Sequence, residues 1–519
     1  MVRSKALFAL VSVLAVLLAA PLLVVITAPL HAPAPEWHHV LTALLPSHLW
    51  ETAQLLAGVI VVALLLAVPS AWLVATHEFP LRRFFRWALV LPLAMPTYIS
   101  AFAYAALLGP TGTLSAWLND TVGIHPDIVS LPGLCMVLAF VLFPYIHLPA
   151  RAAFAQGMTS QLEAGRLLGA SPLRRFRALA VPLARPAIVG GALLVAMETL
   201  NDFGAVKYYG IRTLTTGIFR AWGGLYDLGS ALRLSALLVG LVALLLWIEN
   251  RSRKGRSQAT DQVPVARLRL TGAKAGLATL WCLFIVLLGV GLPLGKIIGD
   301  VSSLGADAWP DGTFSAFGNT LGIAALAAGC TLVAAVLFAF RERYAKRWRI
   351  LQSLADLGYA IPGAVIAIGV MAFAGLIDRN AGFSFALIGS IGLLTYAFVV
   401  RFLAVGTQPL YGNLRQQSIA LDASARMLGA SPWRAFTRIN LPLLRPALAA
   451  AALLVAIDVI KELPLTLILR PFNMHTLSTK AYELASIEQL REASAPALLI
   501  AVCGLVPVFL LERMVGRRG

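Results

Sequence analysis

The sequence predicts an all-α integral membrane protein with about twelve spanning helices in two parallel six-helix repeats. Three observations lead to this fold class. Of the 519 residues, 59% are hydrophobic and only 13% are charged, against about 25% charged in a soluble domain, and the mean hydropathy is +0.81. Apolar runs of about 20 residues, the length that spans a bilayer, recur along the chain. A polar segment between two such runs also occurs twice at a constant offset.

Twelve apolar segments are the predicted spans, six in each half. Those of the first half lie near 6–29, 52–76, 85–109, 128–150, 184–207 and 229–248. Those of the second half lie near 274–298, 316–340, 350–376, 383–408, 445–470 and 493–511. The run near the N-terminus is longer than the apolar core of a signal peptide, so we expect it to remain as the first span.

A polar linker divides the two halves. We expect residues 1–248 to form the first unit, 249–273 an exposed cytoplasmic connector, and 274–519 the second unit. Basic residues cluster in alternate loops, whereas the segment 299–315 carries three aspartates and no lysine or arginine. The positive-inside rule then places both termini and the linker in the cytoplasm. The same distribution accounts for the net charge of +18, so we expect the lipid bilayer and no nucleic acid as a partner.

A duplicated cytoplasmic segment is the strongest specific signal. Residues 166–176 (RLLGASPLRRF) match residues 426–436 (RMLGASPWRAF) at an offset of 260. In each copy a glycine precedes Ala-Ser-Pro, a pattern that favours a left-handed turn followed by a new helix. Two copies at one offset indicate a paired docking surface rather than a solvated hairpin. Because six spans per unit is an even number, both units enter the membrane alike, and parallel repeats of this kind enclose a path between them.

Acidic residues lie inside two predicted spans. There are two in the fifth span and two in the eleventh, again 260 residues apart: Glu198, Asp202, Asp458 and Glu462. Their four-residue spacing places each pair on one helix face, and a charge at the bilayer centre costs about 2.5–3.5 kcal/mol. We therefore expect all four to line a path between the units. The alternative is a structural role, as partners of Lys207 or Lys461.

Signatures of enzymatic and metal sites are absent from the sequence. The four cysteines lie in apolar runs and form no Cys-x-x-Cys pair, which argues against disulfides and zinc. There is no Gly-x-x-x-x-Gly-Lys-Ser/Thr loop, and the similar segment 291–296 has the wrong glycine spacing. The chain therefore cannot cradle ATP in the P-loop manner. We predict no catalytic residue, no stable metal site and no cofactor, and any ATP-driven role requires a separate ATPase.

The duplicated segment resembles the EAA loop of ABC-importer permeases. The residues that carry the resemblance in the two copies are Glu163, Ala164, Gly165, Gly169 and Pro182, and Asp422, Ala425, Gly429 and Pro442. In that family the loop inserts a coupling helix into a cleft of the ATPase subunit, so these residues are expected to couple the chain to ATP hydrolysis. The acid of the second copy is displaced by one place, which favours the glycine-centred turn over the acid as the functional element.

Nearly the whole chain resembles bacterial ferric-iron importer permeases with two fused halves. The segments concerned are 198–204, 216–222, 359–363 and 461–472. The resemblance implies a type I ABC importer-like permease fold in the bacterial inner membrane. It also implies two copies of a cytoplasmic ATPase, a periplasmic or lipid-anchored binding protein, and ferric iron as cargo. Permeases for thiamine or another small solute share this architecture and remain alternatives. A twelve-helix secondary transporter fits less well, because it has no ATPase to dock, and the duplicated intramembrane acids argue against a membrane scaffold.

Overall fold

A computed structural model describes residues 2–155, 159–253, 267–344, 357–381 and 387–516. Throughout these ranges the chain is predominantly helical. The sheet found among them is a parallel pair of two-residue strands, His77–Glu78 and Leu268–Arg269. This pair ties the first unit to the end of the predicted linker, of which residues 254–266 lie outside the described part of the chain.

The α-helices of the first unit run in chain order: Val2–Thr27, Trp37–His39, Leu45–Thr76, Arg82–Ala88, Thr97–Leu108, Thr113–Val122, Leu131–Leu142, Pro144–Ala155, Thr159–Leu167, Pro172–Arg175, Val181–Asn201, Gly204–Tyr208, Leu214–Phe219 and Leu228–Arg253. Those of the second unit are Ala273–Val286, Leu292–Leu304, Thr313–Tyr344, Gly363–Ala381, Ile391–Gln416, Ile419–Met427, Pro432–Ala435, Leu441–Leu443, Arg445–Lys461, Pro464–Leu469, Leu477–Ser486 and Ser494–Gly516. Short 3-10 turns lie at Ala28–Leu30, Leu91–Ala94, Gly305–Ala308 and Leu357–Ala360. Single π-helical turns lie at Val40–Leu44, Phe176–Ala180, Arg220–Gly224, Leu287–Gly291 and Phe436–Asn440.

The predicted membrane spans coincide with helices. In the described residues, seven helical stretches are long and apolar enough to cross a bilayer, and ten are when each of three bent pairs counts as one span. The other two predicted spans coincide with Gly363–Ala381 and Ser494–Gly516. Parts of the predicted spans 350–376 and 383–408 lie outside the described ranges. The expected fold class, an all-α membrane protein of two units, is confirmed.

Four predicted spans are broken rather than straight. The span expected at 128–150 bends by 46° between Leu131–Leu142 and Pro144–Ala155. The span expected at 85–109 bends by 94° between Arg82–Ala94 and Thr97–Val122. Pro96 causes this break, because proline lacks a backbone N–H and forces the preceding residue out of the helical region. The spans expected at 184–207 and 445–470 also end early, at Asn201 and Lys461, with extended backbone at the next residue.

The two units interlock through their first helices. Helix Val2–Thr27 of the first unit packs on Gly363–Ala381 of the second. A Cβ on Gly369 would lie 2.7 Å from the Pro21 carbonyl oxygen, so this close approach requires glycine. In the reciprocal contact, Leu292–Leu304 of the second unit packs on Thr97–Leu108 of the first. This exchange holds the units side by side around their shared centre.

Candidate functional site

A cavity of about 120 Å³ lies between the units, where it is lined by residues of three helix breaks and by Tyr359, which lies just before a fourth break. The breaks follow Met95 and Ile361, at the two prolines, and follow Asn201 and Lys461, at the ends of the helices Val181–Asn201 and Arg445–Lys461. We refer to the latter two as the acid-bearing helices. All four predicted path residues line the cavity: Glu198, Asp202, Asp458 and Glu462. The structure therefore brings together residues that are 260 positions apart in sequence.

Two of the four acids cap short helices. The Asp202 carboxylate accepts a hydrogen bond from the Ala205 backbone N–H at 2.9 Å and another from the Thr97 hydroxyl. In the second unit, Glu462 Oε1 accepts from the Leu465 backbone N–H at 3.4 Å. Both acids are buried, and both stand just after the acid-bearing helix rather than within it. The expectation that each acid pair shares one helix is thus wrong, because the backbone becomes extended at Asp202 and Glu462 so that each side chain can cap the next helix.

The other two acids remain available to the cavity. Glu198 and Asp458 lie within the acid-bearing helices, and both are partly exposed. The Tyr145 hydroxyl lies 3.5 Å from Glu198 Oε1, a long hydrogen bond. The Tyr98 hydroxyl, which also lines the cavity, is buried without a hydrogen-bond partner in the described structure. The cavity wall thus presents two carboxylates and an unsatisfied hydroxyl to any solute inside it.

Arg401 is a site residue that the sequence analysis did not single out. It lies in helix Ile391–Gln416 and is 5% exposed. Its Nε donates to Glu462 Oε2 at 3.1 Å, and its Nη1 donates to the Ile361 carbonyl oxygen at 2.6 Å. An arginine inside an apolar span was the available signal, because such a charge is kept only when it has a partner. At the offset of 260, its equivalent in the first unit is Val141, so this ion pair belongs to one unit alone.

The two lysines proposed as structural partners behave differently. Lys207 is exposed and lines a different cavity, away from the four acids. Lys461 lines the central cavity, and its Nζ donates to the Leu93 carbonyl oxygen of the other unit at 2.7 Å. Its sequence equivalent Asn201 reaches across in the opposite direction, where its Oδ1 accepts from the Gly363 N–H at 2.9 Å. These reciprocal contacts lock the end of each acid-bearing helix to the proline break of the other unit.

The cavity does not form a metal site of the usual kind. Across the described residues, no three His, Cys, Asp or Glu side chains come close enough together to hold a metal ion. Two of the carboxylates are engaged by backbone N–H groups, and one of these also by Arg401. The arrangement can therefore offer a cation transient oxygen contacts, which suits passage better than storage.

The duplicated polar segment forms the same structure in both units. Gly169 has φ +76° and Gly429 has φ +79°, the left-handed conformation predicted for the turn. The serine that follows each turn caps a four-residue helix, Pro172–Arg175 or Pro432–Ala435. We refer to residues 159–180 and 419–440 as the two coupling segments. The predicted helix, turn and short helix are therefore present in both copies.

Aromatic contacts hold each coupling segment to the end of its unit's long helix. In the first unit Trp72 packs against Phe176, with ring centroids 5.5 Å apart. In the second unit Phe340 packs edge-on against Phe436 at 5.4 Å. The pairs occupy equivalent positions, since Trp72 and Phe340 each lie 27 residues after the first residue of the long helices Leu45–Thr76 and Thr313–Tyr344 (72 − 45 and 340 − 313). Each coupling segment is therefore packed directly against the end of a spanning helix.

The acids of the coupling segments have different surroundings in the two units. Asp422 is 4% exposed, with Arg343 at 2.6 Å and the Tyr344 hydroxyl donating at 2.7 Å. Glu163 in the first unit is exposed. At the positions of Arg343 and Tyr344 the first unit has Ala75 and Thr76, which cannot supply the same contacts. The second acid thus has a structural role that the first does not share.

The remaining predicted coupling residues have structural positions. Gly165 and Ala425 are buried, whereas Ala164 is exposed. A Cβ on Gly165 would lie 2.7 Å from Leu179 Cδ1, so the helix that carries Gly165 packs closely against that side chain. Pro182 and Pro442 lie in the first turns of the helices that follow, where proline is tolerated.

Comparison with known proteins agrees with this arrangement. The family described as "Binding-protein-dependent transport system inner membrane component" matches twice, at residues 60–248 and 331–518. The Fe(3+)-transport system permease protein FbpB 2 of Haemophilus influenzae is 29% identical over 475 residues, which cover 89% of both chains. A probable ABC transporter permease protein, y4fN of Sinorhizobium fredii, is 24% identical over 90% of this chain and 87% of its own. The sulfate transport system permease protein CysW of Escherichia coli is 29% identical over 31% of this chain and 54% of its own. Because the family matches cover more than half of the chain, one in each unit, the chain belongs to the inner membrane components of binding-protein-dependent transport systems, the permease subunits of ABC importers.

Proposed function

We propose that this chain forms the translocation path of an ABC importer for ferric iron, delivered by a periplasmic or lipid-anchored binding protein. The observation that carries the path is the central cavity, where carboxylates from both units meet at the helix breaks. Oxygen ligands suit a small, hard cation. The family assignment supports a binding protein and an ATPase as partners.

The coupling segments are proposed to dock two copies of the ATPase, one per unit. Each carries an exposed pair of large apolar residues directly before the glycine turn: Leu167 and Leu168, and Met427 and Leu428. Their exposed fractions lie between 86% and 90%. Apolar side chains this exposed mark an interaction surface. ATP is hydrolysed by those separate subunits, because the sequence contains no P-loop.

Both termini and the linker are proposed to be cytoplasmic, on the side of the coupling segments. Impermeant thiol labelling of intact cells tests this, in a chain that lacks its four native cysteines. We expect no labelling of Ser257→Cys, in the part of the linker outside the described residues, and strong labelling of Asp307→Cys. Labelling of Ser257→Cys from outside would contradict the orientation.

Ferric iron is favoured as cargo by the extent of the similarity. The ferric-iron relative matches along 89% of both chains, whereas the sulfate relative matches 31% of this chain. Thiamine and other small solutes remain the alternative cargo. A secondary transporter is disfavoured, because exposed coupling segments would have no ATPase to contact.

Reconstitution tests the proposal directly. The chain, its ATPase and its binding protein are placed in proteoliposomes, and uptake of radioactive ferric iron is measured with ATP and with a non-hydrolysable analogue. We expect uptake only with ATP and the binding protein, and no uptake of sulfate or thiamine under the same conditions. Equal uptake without ATP would favour a secondary transporter. ATP-dependent uptake of another solute would replace iron as the cargo.

A further inference from the structure

A second cavity, of about 330 Å³, lies in the first unit at the end opposite its coupling segment. Its walls come from the start of helix Leu45–Thr76 and from residues 203–224. The other end of that long helix carries Trp72, which contacts the coupling segment. The volume falls in the range of about 300–1,000 Å³ typical of small-molecule sites. We refer to this space as the cationic cavity, because of the side chains that line it.

Basic side chains from three helical elements and one connecting segment converge on the cationic cavity. They are His48, Lys207, Arg212 and Arg220. Arg212 is neutralised, since its Nε lies 2.7 Å from Glu51 Oε1. For Lys207 and Arg220 the described part of the chain provides no ion-pair partner within 4.0 Å. The cavity therefore carries two uncompensated positive charges beside an exposed opening.

His48 supplies a buried polar wall for the cationic cavity. Its side chain is 3% exposed, and its Nδ1 lies 2.7 Å from the Leu44 carbonyl oxygen. That bond fixes the ring, because Nδ1 must donate to the carbonyl. A Cβ on Gly217 would lie 2.9 Å from His48 Cδ2, so the glycine leaves room for the imidazole at the cavity wall.

The second unit is neutral at the equivalent place. The offset of 263 residues that relates the helix-capping threonines Thr213 and Thr476 also relates Arg220 to Glu483. Glu483 is paired with Arg470 at 2.5 Å and lies 2.9 Å from His475 Nδ1. The repeat thus reverses the charge at one position and closes that site with internal ion pairs. The positive charge of the first unit is therefore not a general property of the fold.

Phe203 separates the cationic cavity from the central cavity. It lines both, and its ring stacks on Phe219 with centroids 3.6 Å apart. It is 5% exposed and stands directly after Asp202, at the end of the acid-bearing helix. A solute in the cationic cavity would therefore be one side chain away from the proposed path.

We propose that the cationic cavity binds a small polyvalent oxyanion, of the phosphate or polycarboxylate class. Lysine and arginine bind such anions through charge-assisted hydrogen bonds. The same charges would repel a bare metal cation. The cationic cavity therefore favours ions of the opposite charge from those that the carboxylate-lined central cavity favours. The inference goes beyond the proposed function, and it holds whichever solute the central cavity carries.

Binding of radiolabelled inorganic phosphate tests the inference. The full chain is placed in lipid nanodiscs, and phosphate binding is measured by equilibrium dialysis at low ionic strength. We expect saturable binding that the double variant Lys207→Gln with Arg220→Gln weakens at least about tenfold. Arg220→Glu, which introduces the residue type found in the second unit, should abolish binding. The control is Arg269→Gln with Lys274→Gln, which removes the same charge from exposed positions outside the cavity and should bind as the wild type does.

A measurement on the unaltered chain keeps the test independent of variant folding. Phosphate should slow acetylation of Lys207 by an amine-reactive reagent, and should leave acetylation of the exposed Lys274 unchanged. Absence of saturable binding, equal loss in the control, or unprotected Lys207 would each overturn the proposal. If the wild type binds no phosphate and the double variant weakens only association with the binding protein, the cavity receives an acidic side chain of that partner instead. Iron uptake is measured in a separate experiment. A failure of phosphate binding therefore leaves the transport proposal standing, and a failure of iron uptake leaves the phosphate proposal standing.

Discussion

Replacement of Asp422 by asparagine should loosen the second coupling segment without disturbing the first. Asp422 is buried between Arg343 and the Tyr344 hydroxyl, at the end of the long helix Thr313–Tyr344. Asparagine keeps the shape and one acceptor oxygen but loses the charge. The matched control is Glu163→Gln, because Glu163 is the exposed acid of the first coupling segment.

The magnitude follows from the contacts that survive. Breaking a buried ion pair by removal of one partner costs about 3–5 kcal/mol. Arg343 keeps three carbonyl acceptors, on Leu414, Gln417 and Ser418, at 2.9–3.1 Å. Asparagine can also still accept from Tyr344. We therefore place the cost for Asp422→Asn below that range, at about 2–3 kcal/mol, and the cost for Glu163→Gln within about 0.5 kcal/mol, as for most surface changes.

Hydrogen–deuterium exchange of the chain in nanodiscs measures this local opening. A cost of 2–3 kcal/mol corresponds to roughly 30- to 150-fold faster exchange of the protected amides. The increase should be confined to Ile419–Met427 and its neighbours, with Thr159–Leu167 unchanged. Equal exchange in Asp422→Asn and the wild type, or an equal increase in Glu163→Gln, would refute the anchoring role.

Three further outcomes follow from the same structure. Gly169→Val with Gly429→Val should uncouple ATP hydrolysis from transport. Valine resists positive φ, and binding-protein-stimulated ATPase activity checks this against Gly412→Val, a helical glycine whose added Cβ meets nothing within 4 Å. Arg401→Met should lower the thermal unfolding temperature by leaving Glu462 buried and unpaired, at a cost of about 3–5 kcal/mol, and Arg401→Met with Glu462→Gln should recover part of the loss. Leu168→Asp with Leu428→Asp should prevent co-purification of the ATPase while the chain still inserts in the membrane, whereas unchanged co-purification would remove these residues from the docking surface.

The repeat made most of the fold predictable. The offset of 260 residues aligned the coupling segments and the acid-bearing helices, and the left-handed turns at Gly169 and Gly429 followed from glycine before Ala-Ser-Pro. Periodicity could not locate the helix breaks, because apolar residues continue on both sides of Asp202 and Glu462. Proline was a usable signal at Pro96, where the predicted span bends.

Partners of charged residues were harder to predict, because each partner lies far away in sequence. Glu462 pairs with Arg401 and not with the neighbouring lysine, since the path of helix Ile391–Gln416 decides which cation is close. The displacement of Asp422 by one residue gave no indication of its partners. In the structure Asp422 contacts Arg343 and Tyr344, which the first unit does not have at the equivalent positions.

The central claim is that the cavity between the units is the route of the cargo. It is tested most directly by Glu198→Gln with Asp458→Asn, the two partly exposed acids that cap no helix. The measurement is ATP-driven uptake of radioactive ferric iron in proteoliposomes, alongside binding-protein-stimulated ATPase activity. The account predicts at least tenfold slower uptake with normal protein level and retained ATPase stimulation. Uptake equal to that of the wild type in this variant would contradict it.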